Sequence, residues 1–205
     1  MLTEGNKLIF NNAMLLYTRL ALTMIIGFLT TRIVLDELGT IDYGTYFVVG
    51  GVVAVFSLLN GSISGATQRW ITIGLGEGNQ ERLNKIFAVG MSAQLVIILI
   101  TVVLYESLGL LYLYNYAVFP EERTQAVFWV FQFSVLSLIF TLISIPFNAL
   151  LIAREKMNLY AMISLMDISL KFIIVLLLGF FEYDNLIFYS FELAIVSIIV
   201  FFIYF

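Results

Sequence analysis

The chain contains no cysteine and no histidine, and only 12% of its 205 residues are charged. Without cysteine it forms no disulfide and offers no thiolate to a metal; without histidine it lacks imidazole ligands and every catalytic triad built on His or Cys. No metal centre and no organic cofactor is expected from what remains. The charges are 10 basic against 14 acidic, with no basic run and no basic patch interleaved with aromatics, so the electrostatic footprint of nucleic-acid binding is missing too. What is abundant is apolar surface: 61% of residues are hydrophobic and the mean hydropathy is +1.03. Soluble domains hold about 45 to 50% apolar residues. The composition therefore points to a polytopic membrane protein.

A membrane-spanning helix needs about 20 apolar residues. The chain shows six such runs separated by short charged turns, over about 8–35, 46–73, 86–108, 126–152, 159–181 and 186–205. The expected fold is all-α, a polytopic membrane helix bundle of about six transmembrane helices forming one lobe over 1–205. The first run is too long for a cleavable signal and reads as a retained anchor. Lys7, Arg69, Arg82, Lys85, Arg154 and Lys156 fall on the N-terminal side and the even turns, against Arg32 and Arg123 on the other side. By the positive-inside rule the N-terminus is cytoplasmic.

Polar residues within the spans are patterned. Asn12, Arg19, Thr23 and Thr30 share one stripe of the first span at about 100° per residue, while Arg32 projects from nearly the opposite side and reads as an interfacial anchor. An arginine near midspan costs roughly 2.5 to 3.5 kcal/mol, so Arg19 requires water, a partner or an anionic ligand. The link after it, with Gly39 and Gly44 around Asp42, has the composition of a tight turn between antiparallel helices. The second span is rich in small residues suited to close helix packing, and it ends at Arg69, either a cavity cation or a positive-inside anchor. The glycines of GLGEGNQERLNKIF lack the strand before and the Lys-Ser/Thr after that a phosphate loop needs. Glu106 reads as interfacial.

The fourth span carries the clearest pattern. Ser134, Ser137, Thr141, Ser144 and Asn148 repeat every three or four residues as a continuous polar stripe, which either hydrogen-bonds to neighbouring helices or lines a hydrated path. Pro146 removes a backbone hydrogen bond within it, the position of a kink or hinge. In the fifth span Ser164, Asp167 and Lys171 follow at the same spacing, with Asp167 placed ahead of Lys171 as a helical ion pair prefers. That pair is either structural or a coupling and substrate site. The sixth span contains Glu192.

Several segments together carry a family resemblance: the run from Leu15 to Trp70, then GLGEGNQERLNKIF, WVFQFSVLSLIFTLISIPFNALLIAREKMNLYAMIS and LKFIIVLLL. They resemble the polysaccharide-biosynthesis membrane proteins, the O-antigen-type flippases of the multidrug/oligosaccharidyl-lipid/polysaccharide exporter superfamily. That superfamily also includes multidrug antiporters and the peptidoglycan-precursor flippase. The resemblance spans essentially the whole chain and rests on the order and texture of segments rather than on one short motif. It implies the N-terminal lobe of a two-lobed transporter of the bacterial cytoplasmic (inner) membrane, which moves an undecaprenyl-diphosphate-linked oligosaccharide to the outer leaflet by alternating access, without enzymatic chemistry.

In such flippases basic residues of the first two spans meet the diphosphate; Arg19 matches the first position and Arg69, more loosely, the second. Where the peptidoglycan flippase has a further arginine this sequence reads Thr23, Met24 and Ile25. The expected substrate site joins Arg19 and Arg69 to the hydroxyl and amide row of Ser137, Thr141, Ser144 and Asn148, with Lys171 contributing once Asp167 is protonated or displaced. The remaining partners are membrane lipid and either a missing C-terminal lobe, the chain being a fragment, or a second copy, since parallel repeats build other transporters. Two alternatives are a cation-coupled multidrug antiporter of the same fold, using Asp167, Glu106 or Glu192, and a noncatalytic membrane assembly subunit.

Overall fold

A computed structural model describes residues 4–180 and 184–204, with 4–9 and 54–64 described by their backbone alone. The expected ends of the fifth and sixth spans, Phe181 and Phe205, and the side chains of the second span between 54 and 64 lie outside the described residues. Among the described residues the chain is helical, with no strand. Helix α1 covers Glu4–Gly76 and α2 Gln80–Leu104, continuing through a π-turn at Tyr105–Gly109 into α3, Leu110–Asn115. Then come α4 (Thr124–Ile143), α5 (Ile145–Ala153), α6 (Met157–Leu177) and α7 (Asn185–Phe202). Five stretches are long and apolar enough to cross a membrane, the first of which, Phe10–Val53, straddles a break in α1.

That break is at Gly39 alone, whose φ of 70° and ψ of 173° lie where a Cβ is not tolerated. Gly44, expected to share the turn, is already inside the following helix. One glycine in this conformation redirects the chain, so residues 40–45 pair their backbones as helix and a wider turn is unnecessary.

Side-chain contacts fix the direction of each pass. In the first arm of α1, Arg19 meets Tyr160 and Glu37 meets Gly179, so this arm runs parallel to α6. In the second arm Tyr46 packs on Tyr189 and Ile71 on Ala149, which sets it parallel to α4–α5 and α7. Against α2 it is antiparallel, because Gly74 meets Ile86, Thr67 meets Gly90, and the Tyr105 hydroxyl donates to the carbonyl of Val53. The described helices thus make six passes of alternating direction, the order that short links enforce in a bundle.

A large apolar cluster including Val34, Leu38, Tyr105, Phe131, Leu178 and Leu186 at the Gly39 end continues through Ile98, Leu138 and Leu142, and a small one of Ile71, Leu83 and Ala149 sits toward the other end. Between α4 and α5 the helix is interrupted at Ser144, one turn after Phe140 and just before Pro146. Pro146 has no N–H and its ring would press on the carbonyl four residues earlier; at Ser144 the backbone keeps near-helical angles and its N–H still donates to the Phe140 carbonyl at 3.2 Å. Ser144 Oγ donates to the Phe140 carbonyl at 2.8 Å, supplying a bond at the interruption.

Candidate functional site

The polar faces of α4–α5, α6 and α7 meet in the half of the bundle away from Gly39. They leave a cavity of about 190 Å³ walled by Thr141, Ser144 and Asn148 on one side, by Tyr160, Ser164, Asp167 and Lys171 on the second, and by Ser197 and Tyr204 on the third. The helical periods that place Ser137, Thr141, Ser144 and Asn148 on one stripe, and Ser164, Asp167 and Lys171 on another, turn both stripes inward.

Lys171 Nζ lies 2.8 Å from Asp167 Oδ1 and 2.9 Å from Oδ2, a two-oxygen contact within one turn of α6, and each side chain retains about a third of its accessible surface. Asn148 Oδ1 accepts from the Tyr204 hydroxyl at 2.7 Å, leaving its amide NH₂ to donate elsewhere. Thr141 Oγ1 donates to the Ser137 carbonyl at 2.9 Å. Ser137 and Ser197 share a hydroxyl hydrogen bond of 2.6 Å across α4 and α7. Ser137 bridges helices, while Thr141, Ser144 and Asn148 line the cavity.

Arg19 is half-buried, and its guanidinium carbon stands 4.7 Å from the centre of the Tyr160 ring. Its Nε is buried without a hydrogen-bond partner among the described residues, as is Thr23 Oγ1 one turn on. Asn12, Thr23 and Thr30 are likewise half-buried, and Arg32 is exposed. The polar stripe of the first span therefore faces protein. Through Tyr160, Arg19 adjoins the cavity wall, and with the Asp167–Lys171 pair internally neutral it gives this neighbourhood a net positive charge.

Arg69 is not brought to this place. It stands exposed on the second arm and is not part of the cavity wall. Tyr160, Tyr204 and Ser197 are wall residues that the sequence reading did not single out. The signal for Tyr160 was present, since it precedes Ser164 by four residues and so shares the stripe of Asp167 and Lys171; Tyr204 and Ser197 depend on how α7 turns, which its near-uniform apolarity does not reveal. A second cavity, of about 260 Å³, lies deeper along α4 and is walled by Tyr46, Gly50, Ser134, Ser137 and Ser190, with Thr141 common to both. Glu106 accepts from Gln132 at 3.3 Å, and Glu192 has one carboxylate oxygen buried without a partner among the described residues. No group of three or more metal-ligating side chains is placed to hold an ion among the described residues. No protein-family model, curated protein or solved structure matches this chain.

Proposed function

We propose that this chain is a membrane-embedded lobe of a flippase that carries an undecaprenyl-diphosphate-linked oligosaccharide across the bacterial cytoplasmic membrane. The N-terminus is then cytoplasmic, and the cavity beside Lys171 and Arg19 is the seat of the diphosphate. The carrying observation is the cavity that brings one exchangeable cation, Lys171, together with a hydroxyl and amide row, with Arg19 stacked on its wall residue Tyr160 and no carboxylate against Arg19 among the described residues. Large side chains such as Phe28, Met24, Leu99, Val103 and Ile173 are exposed around the bundle. A contiguous apolar exterior of this kind exceeds what soluble monomers carry and suits a lipid surround.

Arginine meets a phosphate through paired N–H donors and lysine as a point charge, so the two cations bind a diphosphate with different geometries while the lipid tail stays in the bilayer. A volume of 190 Å³ is room for about six waters and lies below the roughly 300 Å³ of small-molecule sites. This lobe therefore encloses the charged headgroup, and a second lobe or a second copy completes the space for the glycan. The test is titration of the chain in lipid nanodiscs with undecaprenyl diphosphate and undecaprenyl monophosphate. Saturable binding that prefers the diphosphate and is lost in Lys171→Met supports the assignment, and absence of binding overturns it.

A second reading rests on Glu192, whose buried carboxylate oxygen is unpartnered among the described residues, and on Asp167: both suit a cation-coupled drug antiporter of the same architecture. Drug efflux that survives Arg19→Ala and fails in Glu192→Gln would favour it.

A further inference from the structure

At the Gly39 end of the bundle one arginine holds three passes together. Arg123 ends the short 3₁₀ turn Glu121–Arg123 that leads into α4. Its Nη2 bonds Asp42 Oδ2 at the start of the second arm of α1, and its Nη1 bonds Asp184 Oδ2 at 2.5 Å. Asp184 is also the N-cap of α7, its other oxygen accepting from the backbone N–H of Leu186 at 3.1 Å and of Ile187 at 3.3 Å. Asp42 is buried, and its Oδ1 has no partner among the described residues. Two carboxylates against one guanidinium leave the cluster with an excess negative charge and one unsatisfied buried oxygen. It is closed, but not fully compensated.

What lies beneath this cluster gives it a function. One turn below Asp42 is Tyr46, packed on Tyr189 with ring centres 5.0 Å apart. Tyr46, together with Ser190 of α7 and Ser134 and Ser137 of α4, walls the second cavity. Thr141 lines both that cavity and the one holding Lys171, and the Ser137–Ser197 hydroxyl bond joins a wall residue of each. Passing inward from Arg123 the order is the ion cluster, the Tyr46–Tyr189 pair, the second cavity, whose wall mixes apolar side chains such as Phe133 and Leu138 with hydroxyls, the Ser137–Ser197 bond, and then the candidate substrate site.

We propose that the Asp42–Arg123–Asp184 cluster is the gate latch of this path: its release parts the starts of the second arm, α4 and α7 and opens the second cavity at the Gly39 end. Each of the three residues begins a different rigid pass, so loss of one guanidinium frees all three at once, the discrete two-arrangement behaviour that a gate needs. The inference rests on the transport reading for its purpose, but not on the identity of the ligand.

The absence of native cysteine makes single-thiol labelling free of background. Ser190→Cys places a thiol in the second cavity and Ser164→Cys one in the first. Each is labelled in nanodiscs with a charged maleimide, alone and combined with Arg123→Gln or with the milder Asp42→Asn. The latch predicts at least tenfold faster labelling of Ser190→Cys when either latch variant is added, with Ser164→Cys changed less than twofold and helix content retained. An unchanged Ser190→Cys rate in both latch variants overturns the proposal, as does a parallel rise at both thiols, which would mark Arg123 as a general staple of the fold. Undecaprenyl diphosphate binding is measured on the unlabelled Ser190→Cys samples, with and without each latch variant. Failure to bind with labelling still gated overturns the ligand assignment and leaves the latch standing.

Discussion

Replacing Arg19 by alanine separates folding from binding, because the two contributions have opposite weights at this residue. On the folding side the guanidinium gains a cation–π contact with Tyr160 at 4.7 Å, about 0.5 to 2 kcal/mol. It also buries an Nε without a partner among the described residues, which costs about 1 to 3 kcal/mol. These nearly cancel, so Arg19→Ala changes stability by about 1 kcal/mol or less, a shift of roughly 2 to 4 °C for a chain of this size. On the binding side it removes a charge-assisted, two-pronged contact to a diphosphate, about 1.5 to 3 kcal/mol. At tenfold per 1.4 kcal/mol that weakens affinity roughly 10- to 150-fold. The assay is titration of undecaprenyl diphosphate into the chain in nanodiscs, with thermal unfolding of the same samples. Arg19→Lys keeps the charge, loses the planar fork and should fall between. An affinity altered less than threefold by Arg19→Ala, or a melting point lowered by about 10 °C, would refute the reasoning.

Asp167→Asn removes the carboxylate that occupies Lys171 at 2.8 and 2.9 Å; the same titration should show diphosphate binding tightened several-fold and its preference over monophosphate increased. A Cβ on Gly109 would stand 2.9 Å from the Phe131 ring in the main core, so Gly109→Ala should destabilise by about 1 to 3 kcal/mol as overpacking does, read as a lowered melting point. Gly74→Ala meets only the end of the Ile86 side chain, at 2.8 Å, a flexible group able to turn aside, and should cost less than half as much in the same melt. Tyr105→Phe removes the hydroxyl donated from the π-turn to the second arm at Val53 and should cost about 1 kcal/mol in thermal unfolding, with diphosphate affinity unchanged.

The parts of this architecture legible in the sequence are those that helical geometry makes local. Asp167 and Lys171 pair because they lie four apart; Ser144 and Asn148 line a common wall for the same reason; Pro146 interrupts its helix by its own chemistry. The stripe through Arg19 faces protein, the direction that its shared polar side chains favour once they stand on one helical face. What was not legible depends on which face meets which. Arg69 shares a helical face with Gly51 and Gly65, yet all three are exposed, since periodicity tells which residues stand together and not what stands opposite. Arg123 meets Asp42 and Asp184 across 81 and 61 residues, and no spacing rule reaches so far. The π-turn at Tyr105–Gly109 and the choice of Gly39 over Gly44 as the break carry no spacing signal in the sequence.

Three cations in this bundle occupy three different environments, and the differences sort them by availability. Arg123 is held by two carboxylates, so a passing anion would have to displace both; that suits a fastening and not a ligand site. Lys171 is held by one carboxylate on its own helix, with about a third of each side chain accessible, so a doubly charged phosphate group can replace Asp167 without moving a helix. Arg19 rests on an aromatic face and has no carboxylate against it among the described residues, and it yields its guanidinium at the smallest cost of the three. Lys171 lines the cavity itself, whereas Arg19 reaches it only through its contact with the wall residue Tyr160. The Asp42–Arg123–Asp184 cluster lies at the opposite end of the bundle from Arg19 and Lys171, so the proposed release there should leave both of those cations in place.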